Sequence, residues 1–202
     1  MEASTEALEK YLPYYLSGDK KESLRQALRD FRDAKDVQFY QLDPETQEQI
    51  LQGDVWKHFS LFVYHTGERK EVKGIVLSNT CDVAGENPRD LPVKLNFAPI
   101  IKLNNFIEML QKAGVKPGVI DSKIDSIRRQ QITNIFYLPS CNESGFEEAI
   151  VPLDDLHSVP VEQLRQSGTF EKLKSLSMFG FYLFTFKLSI HFCRLHEGVD
   201  RV

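Results

Sequence analysis

The stretch VWKHFSLFVYHTGERKEVKGIVLS, residues 55–78, decides how this chain folds. Its two ends, VWKHFSLFVYH and GIVLS, are rich in β-branched and aromatic residues, which favour strands. The charged segment TGERKEVK between them is typical of a polar turn. The stretch therefore predicts a strand, a loop and a second strand.

Further strands are predicted downstream. VKLNFAPIIKL (93–103) is strand-like, with a proline that suits an edge or a strand end, and TNIFYLP (133–139) and EEAIVPL (147–153) predict two strands across a polar loop. Residues 103–131 instead predict two short helices inserted between strands. DDLHSVPVEQL (154–164) predicts a turn and a short helix. We therefore expect an α+β fold with an antiparallel, barrel-like sheet.

Helices are also predicted at both ends of the chain. Leucines at helical spacing predict a helical hairpin over residues 1–36, and VQFYQL (37–42) predicts a short strand after it. One long helix is predicted from about Thr169 to Leu195, apolar on nearly all sides. Such a helix is usually covered on several sides, so we expect it to pack on the sheet and to form a homodimer. The predicted organisation is a hairpin (1–36), a barrel with a helical insertion (37–168) and a C-terminal helix (169–202).

Composition and charge limit the class of protein. The chain of 202 residues is 42% hydrophobic and 27% charged, as in ordinary globular proteins, and its net charge of -4 argues against a polyanion-binding surface over the whole molecule. Three widely spaced cysteines argue against a disulfide framework and a structural zinc site. We expect a cytoplasmic protein with no membrane segment, no metal and no cofactor.

A series of landmarks in the β region resembles the PemK/MazF family of SH3-like barrels. They are LQGDVW (51–56), KGIVLSN (73–79), NFAPI (96–100) and AIVPLDDLHSVPVEQL (149–164). The resemblance implies an antiparallel SH3-like barrel and a toxin that cleaves RNA without a metal, with a cognate antitoxin as partner. It places Lys73 where the family has an arginine and Ile101 where it has a threonine. Isoleucine cannot donate a hydrogen bond, so the catalytic pair of the family is not intact.

Cleavage of RNA in this way needs a base for the ribose 2′-hydroxyl and a cation for the charge that develops on the phosphate. The candidate catalytic residues are Cys81, Asp82 and Lys73, with His58, His65 or His157 as a base for the thiol. The candidate nucleic-acid contacts are Arg69, Lys70, Thr80, Arg128 and Arg129.

Each candidate also has a structural explanation. Cys81 and Asp82 could close a strand, the charges of residues 68–71 could form a solvated turn, and Arg128 and Arg129 suit a helix C-terminus. Two functions therefore remain open. One is a bacterial toxin-like or phage-defence protein that acts on RNA or DNA. The other is a non-catalytic module that binds a protein partner.

Overall fold

The computed structural model of the chain describes residues 38–41, 49–84, 91–166, 168 and 170–193. The predicted hairpin at residues 1–36 lies outside these residues. The strands are β1 (Val55–Val63), β2 (Glu68–Val76), β3 (Lys94–Pro99), β4 (Ile101–Lys102), β5 (Ile135–Leu138), β6 (Ala149–Pro152), β7 (His157–Pro160) and β8 (Lys172–Lys174). The α-helices are α1 (Thr80–Val83), α2 (Leu103–Lys112), α3 (Pro117–Arg128), α4 (Val161–Gln166) and α5 (Met178–Cys193).

Two antiparallel sheets form the framework. The larger has the strand order β7-β3-β2-β1-β8, and the smaller has the order β4-β6-β5. The α+β class, the antiparallel pairing and the two inserted helices are confirmed. Within the described part of the chain the sheets are open, because the edge strands β7 and β8 pair only with β3 and β1. A closed barrel is therefore not shown.

The segment TGERKEVK was predicted as a turn, and most of it is strand. Strand β2 begins at Glu68 and pairs with β1 from the Glu68–Val63 pair onward, so the turn is confined to residues 64–67. Alternating charges are compatible with a strand that has at least one solvated face. Arg69, Lys70 and Lys73 therefore lie on a strand and not in a flexible loop.

The C-terminal helix begins later than predicted. Residues Lys172–Lys174 form β8, which pairs with the start of β1, and the helix α5 begins only at Met178. The hydroxyl of Ser177 caps the helix by accepting a hydrogen bond from Gly180 N at 3.2 Å. The edge of β1 thus pairs with residues 172–174, although their composition suits a helix.

Two other segments differ from their predicted secondary structure. The segment DLHSVP, predicted as a turn, contains β7 (His157–Pro160), which pairs with β3. Of the predicted strand VQFYQL, the described residues 38–41 make only an isolated bridge between Tyr40 and Leu176. In both places a neighbouring element decided between strand and turn, and such neighbours are not visible in a local window of sequence.

The larger sheet is covered on both faces. One face contributes Val55, Ile75 and Ala98 to a core shared with α5 and the smaller sheet, which we call the α5-side core. The other face contributes Trp56, Phe59, Val76, Leu95, Phe97 and Val159 to a core shared with α1 and α4, the α4-side core. A third cluster packs the inserted helices α2 and α3 on the smaller sheet.

Helix α5 is the most apolar helix, and its 16 residues include the buried Leu183, Phe184 and Phe186. Met178 and Phe192 remain exposed at its ends. Among the described residues there is no helix long and apolar enough to cross a membrane. That a second copy of the chain covers the exposed side of α5 stays a prediction, and a clean monomer by sedimentation at micromolar concentration would contradict it.

Candidate functional site on the outer face of the β1–β2 hairpin

A β-bulge in β1 shapes the candidate site. Trp56 pairs with Gly74 and Phe59 pairs with Val72, so two residues of β1 lie opposite one residue of β2. In a regular strand, residues three apart point to opposite faces. The bulge instead lets Trp56 and Phe59 both enter the α4-side core. The two residues of the bulge, Lys57 and His58, are left at the surface.

The packing of this core explains why the bulge is maintained. Trp56 stacks on Phe170 with ring centroids 4.3 Å apart, and Phe59 stacks on Phe97 at 4.0 Å. The second stack passes directly over Gly74, where a Cβ atom would lie 2.7 Å from both rings. Only glycine fits at that position, as the compact KGIVLS motif provides.

His58 takes an unusual backbone conformation in the bulge. Its φ is 64°, a left-handed conformation that costs a residue other than glycine about 1 kcal/mol. Its Nδ1 lies 2.9 Å from Oε2 of Glu71 across the hairpin, and both side chains are accessible to solvent. With its Nδ1–H donated to this carboxylate, the imidazole would present Nε2 as a free acceptor.

The register places several functional groups beside this pair. Ser60 pairs with Glu71 and Phe62 pairs with Arg69, and Lys73 follows Glu71 by two residues, so all lie on the sheet face opposite Val72. We call this set the outer stripe: His58, Ser60, Phe62, Arg69, Glu71 and Lys73. The stripe therefore combines an imidazole, a carboxylate, two cations and an aromatic ring.

Carboxylates on either side of Lys73 complete the electrostatic surroundings. Hydrogen bonding to Lys57 at 2.9 Å lowers the pKa of Glu171, and His58 and Lys73 lower it further. Hydrogen bonding to Lys102 lowers the pKa of Glu147, with a further contribution from Lys73. The Lys73 ammonium thus lies within electrostatic range of both carboxylates and of the imidazole site.

The predicted basic set on β2 is divided by the pleat of the strand. Arg69 and Lys73 are on the outer stripe, whereas Lys70 points to the opposite face, where its ammonium lies 4.0 Å from Glu68. Four residue steps, or ~13 Å, separate Arg69 from Lys73 along the strand. At this separation the two cations could contact different parts of an extended ligand.

The position that the family resemblance assigns to threonine also lies near Lys73. The backbone oxygen of Lys73 accepts a hydrogen bond from Ile100 N at 2.8 Å, which brings the start of β4 alongside. Ile101 itself packs into the third cluster with the inserted helices. Position 101 therefore follows directly on the residue bonded to Lys73, but the isoleucine side chain has no group that could donate a hydrogen bond to a substrate.

Thr80, Cys81 and Asp82 form the single turn α1 beyond the end of β2. Asn79 caps this turn by accepting a hydrogen bond from Cys81 N at 3.0 Å, and the hydroxyl of Thr80 accepts one from Gln52 N at 3.0 Å. The thiol of Cys81 and the carboxylate of Asp82 are exposed. The turn closes the strand and inserts Val83 into the α4-side core.

The structure does not bring Cys81 together with Lys73. Three steps of strand, ~10 Å, separate Lys73 from the last residue of β2, and α1 lies beyond that end. Of the proposed bases, His58 is bonded to Glu71, and His157 Nε2 is 2.8 Å from Asp155. A single site that combines Cys81 with Lys73 is therefore divided into two separate places.

Arg128 and Arg129 end the inserted helix α3. The guanidinium of Arg128 makes a two-pronged ion pair with Glu148, with both hydrogen bonds at 2.9 Å, and this pairing raises the pKa of Arg128. The Tyr137 hydroxyl donates to the same carboxylate. Arg129 is exposed at the helix end, so it alone of the two presents an unengaged guanidinium.

Sequence reasoning missed the His58–Glu71 pair and the aromatic part of the outer stripe. The signal was present as two polar residues between Trp56 and Phe59, since aromatic residues three apart in a strand indicate a bulge. Trp56 itself is a core residue, with 4% of its surface exposed. Within the described ranges no three His, Cys, Asp or Glu side chains meet as metal ligands.

Comparison with known proteins adds no family to these observations, because neither a family model nor a curated protein matches the chain. The PemK/MazF resemblance therefore rests on the residues quoted above.

Proposed function

We propose that the protein is a metal-independent endoribonuclease of toxin or phage-defence type, with its reaction centre at His58, Glu71 and Lys73. The observation that carries this proposal is the single solvent-facing stripe on which a hydrogen-bonded His–Glu pair and a lysine lie together. It differs from the site expected around Cys81, which lies beyond the end of β2.

The chemistry follows from the roles that these groups could take. Nε2 of His58, with Nδ1–H held by Glu71, would remove the proton from a ribose 2′-hydroxyl. The 2′-oxygen would attack the adjacent phosphorus, and the bond from phosphorus to the 5′-oxygen of the next nucleotide would break. That oxygen would take its proton from water, and the His58 imidazolium would return its proton to the solvent. The Lys73 ammonium would stabilise the negative charge on the phosphorane oxygens as a point charge. The products would be a 2′,3′-cyclic phosphate and a free 5′-hydroxyl.

The resemblance to the PemK/MazF family supports the same centre. Lys73 occupies the place of the arginine of that family, and an SH3-like barrel topology would put this place on the substrate face. The same resemblance suggests a cognate antitoxin as the protein partner. In this proposal Ile101 lacks the hydroxyl that the resemblance implies for holding the phosphorane charge, so Lys73 would hold that charge, and the imidazole of His58 would be the base.

An RNA cleavage assay at low salt tests the proposal. Wild-type protein is expected to cleave a single-stranded RNA but not the DNA of the same sequence, which lacks the attacking hydroxyl. His58→Ala and Lys73→Ala should each lower the rate by at least about 100-fold. Lys70→Ala, on the opposite face of β2, and Cys81→Ala, beyond its end, should leave the rate unchanged.

The second candidate is a non-catalytic module that binds a protein partner. It is favoured by Ile101 and by the ion pairs that occupy Lys57 and Lys102 around the centre. Purified protein that neither binds nor cleaves RNA or DNA at low salt would reject the nuclease and leave this function. Cleavage that is abolished by Cys81→Ala but not by His58→Ala would instead move the reaction to α1.

A further inference from the structure

We infer that Phe62 and Tyr64, at the tip of the β1–β2 hairpin, stack on unpaired bases of a single-stranded nucleic acid. The inference rests on the proposed function for the position of the reaction centre, whereas the binding that it describes can be measured without any cleavage.

The two rings are unusually exposed for their size. Phe62 has 45% of its surface exposed and Tyr64 has 88%. Their ring centroids are 5.1 Å apart and their planes are at 89°, so each ring braces the other in an edge-to-face pair. A braced aromatic pair in solvent adds little to either core, and it presents flat π-faces to a ligand at small cost in conformational entropy.

Cations of the outer stripe flank these rings. Phe62 is the cross-strand partner of Arg69, and Lys73 lies on the same face toward the base of the hairpin. Within the described ranges, no carboxylate lies within 4 Å of the charged group of Arg69 or Lys73, so neither cation forms an ion pair there. Aromatic rings for the bases and cations for the phosphates are the two components of a surface that binds single strands.

The spacing along β1 suits one continuous strand of nucleic acid. Four residue steps, or ~13 Å, separate His58 from Phe62. That length falls within the site of four or more nucleotides that single-strand-binding domains cover. Bases in a duplex are already stacked on each other, so the rings can engage only unpaired bases. The stripe would thus hold a base at Phe62 while a phosphate reaches Lys73.

Binding to a short, fluorescently labelled DNA single strand tests this inference, because DNA lacks the 2′-hydroxyl that the proposed cleavage requires. Phe62→Leu and Tyr64→Leu keep the apolar surface but lose the ring, and each should weaken binding about 5- to 100-fold with an unchanged salt dependence. Phe62→Tyr should keep the affinity. Arg69→Ala should lower the slope of log K against log salt by about 1.

Met109→Ala is the matched control, since Met109 on α2 is an exposed apolar side chain (56%) away from the hairpin. The inference is overturned if Phe62→Leu binds as tightly as wild type, if Met109→Ala loses as much, or if a duplex binds as well as the single strand. Binding that depends on Phe62 without any RNA cleavage would reject the nuclease and retain the stacking surface. RNA cleavage by the wild type, together with unchanged binding by Phe62→Leu, would retain the nuclease and reject the stacking surface.

Discussion

The base and the tip of the β1–β2 hairpin share one hydrogen-bonded ladder but differ in how deeply their side chains are buried. At the base, Val55, Phe59 and Ile75 are fully buried between two cores, whereas at the tip Phe62 and Tyr64 are exposed. Substitutions at the base therefore act on the free energy of unfolding. In the proposed function, substitutions at the tip and on the outer stripe would act on what the protein binds. The proposed site thus lies where stability is least constrained.

The largest expected effect is at the base, in the ion pair between Asp54 and Lys172. Their side chains are 2% and 4% exposed, and Nζ lies 2.8 Å from Oδ2. Burial raises the pKa of Asp54 despite the hydrogen bond from Lys172, so each charge depends on the other for solvation. Asp54→Ala should lower the free energy of unfolding by about 3–5 kcal/mol, measured by urea denaturation.

A double variant tests whether the pair itself causes this loss. Asp54→Leu with Lys172→Met removes both charges and should recover most of the stability. Glu171→Ala, which breaks the exposed ion pair with Lys57, should leave the urea midpoint unchanged. A double variant as unstable as Asp54→Ala would show that packing, and not an unpaired charge, sets the loss.

Buried and exposed lysines should also differ in how they make the free energy of unfolding depend on pH. Lys187 on α5 is 4% exposed and donates to the backbone oxygen of Gln130, and burial lowers its pKa to about 8. Between about pH 8 and its unfolded value of 10.5, the unfolded chain holds more protons than the folded one. The free energy of unfolding should therefore rise with pH across this window, by up to about 3 kcal/mol.

Denaturation curves recorded at several pH values measure this effect. Lys187→Met should abolish the rise, because it removes the titrating group while keeping an unbranched side chain. Lys70→Met, at the exposed tip, should leave the rise intact. A rise that persists in Lys187→Met would assign the pH dependence to another group.

The next effect compares two glycines of the hairpin. Gly74→Ala at the base would force the Phe59–Phe97 stack apart and should cost about 2–3 kcal/mol. Gly67→Ala in the turn meets no atom within 4 Å, and its φ of +71° alone should cost about 1 kcal/mol. Thermal or urea denaturation of both variants tests the order, and an equal loss would mean that the aromatic stack adapts.

The smallest effect concerns the strained residue of the outer stripe. His58→Gly relieves the left-handed conformation, whereas His58→Ala keeps it, so the glycine variant should be more stable than the alanine variant by about 1 kcal/mol. Both variants should lose RNA cleavage. Equal stabilities would indicate that the bulge relaxes when His58 is replaced, and retained cleavage would exclude His58 as the base.

Much of the fold could be predicted from local patterns. The strands β1, β3, β5 and β6 fall in apolar runs typical of strands, and the helices α2 and α3 have a helical hydrophobic period. The failures have a common physical cause. Residues 68–73 and 172–174 have polar or mixed composition, and they become strands only because an adjacent strand supplies hydrogen-bond partners. Pairing across the chain overrides local propensity at such places.

The candidate site shows the same division. Lys73 was chosen from the family resemblance and Arg69 as a basic residue of the same segment, and the pleat of β2 separates both of them from Lys70. The spacing of Trp56 and Phe59 signals a bulge, but the residue that His58 then faces depends on the register of the two strands, which a local window of sequence does not contain. Cys81 and Asp82 were candidates because a thiol and a carboxylate follow a predicted strand, and the structure places them in a turn that closes β2.

The sequence by itself determined the mixed α+β class and the inserted helices, because these depend on local hydrophobic patterns. It also supplies at position 74 the glycine that the Phe59–Phe97 stack requires, because only glycine has no Cβ atom. The tertiary structure decided which side chains share a face. Strand pairing brought residues 58, 71 and 73 together on one face and left residue 81 beyond the strand end. Register is a long-range property, because it is set by packing of Trp56 and Phe59 into a core to which distant segments contribute.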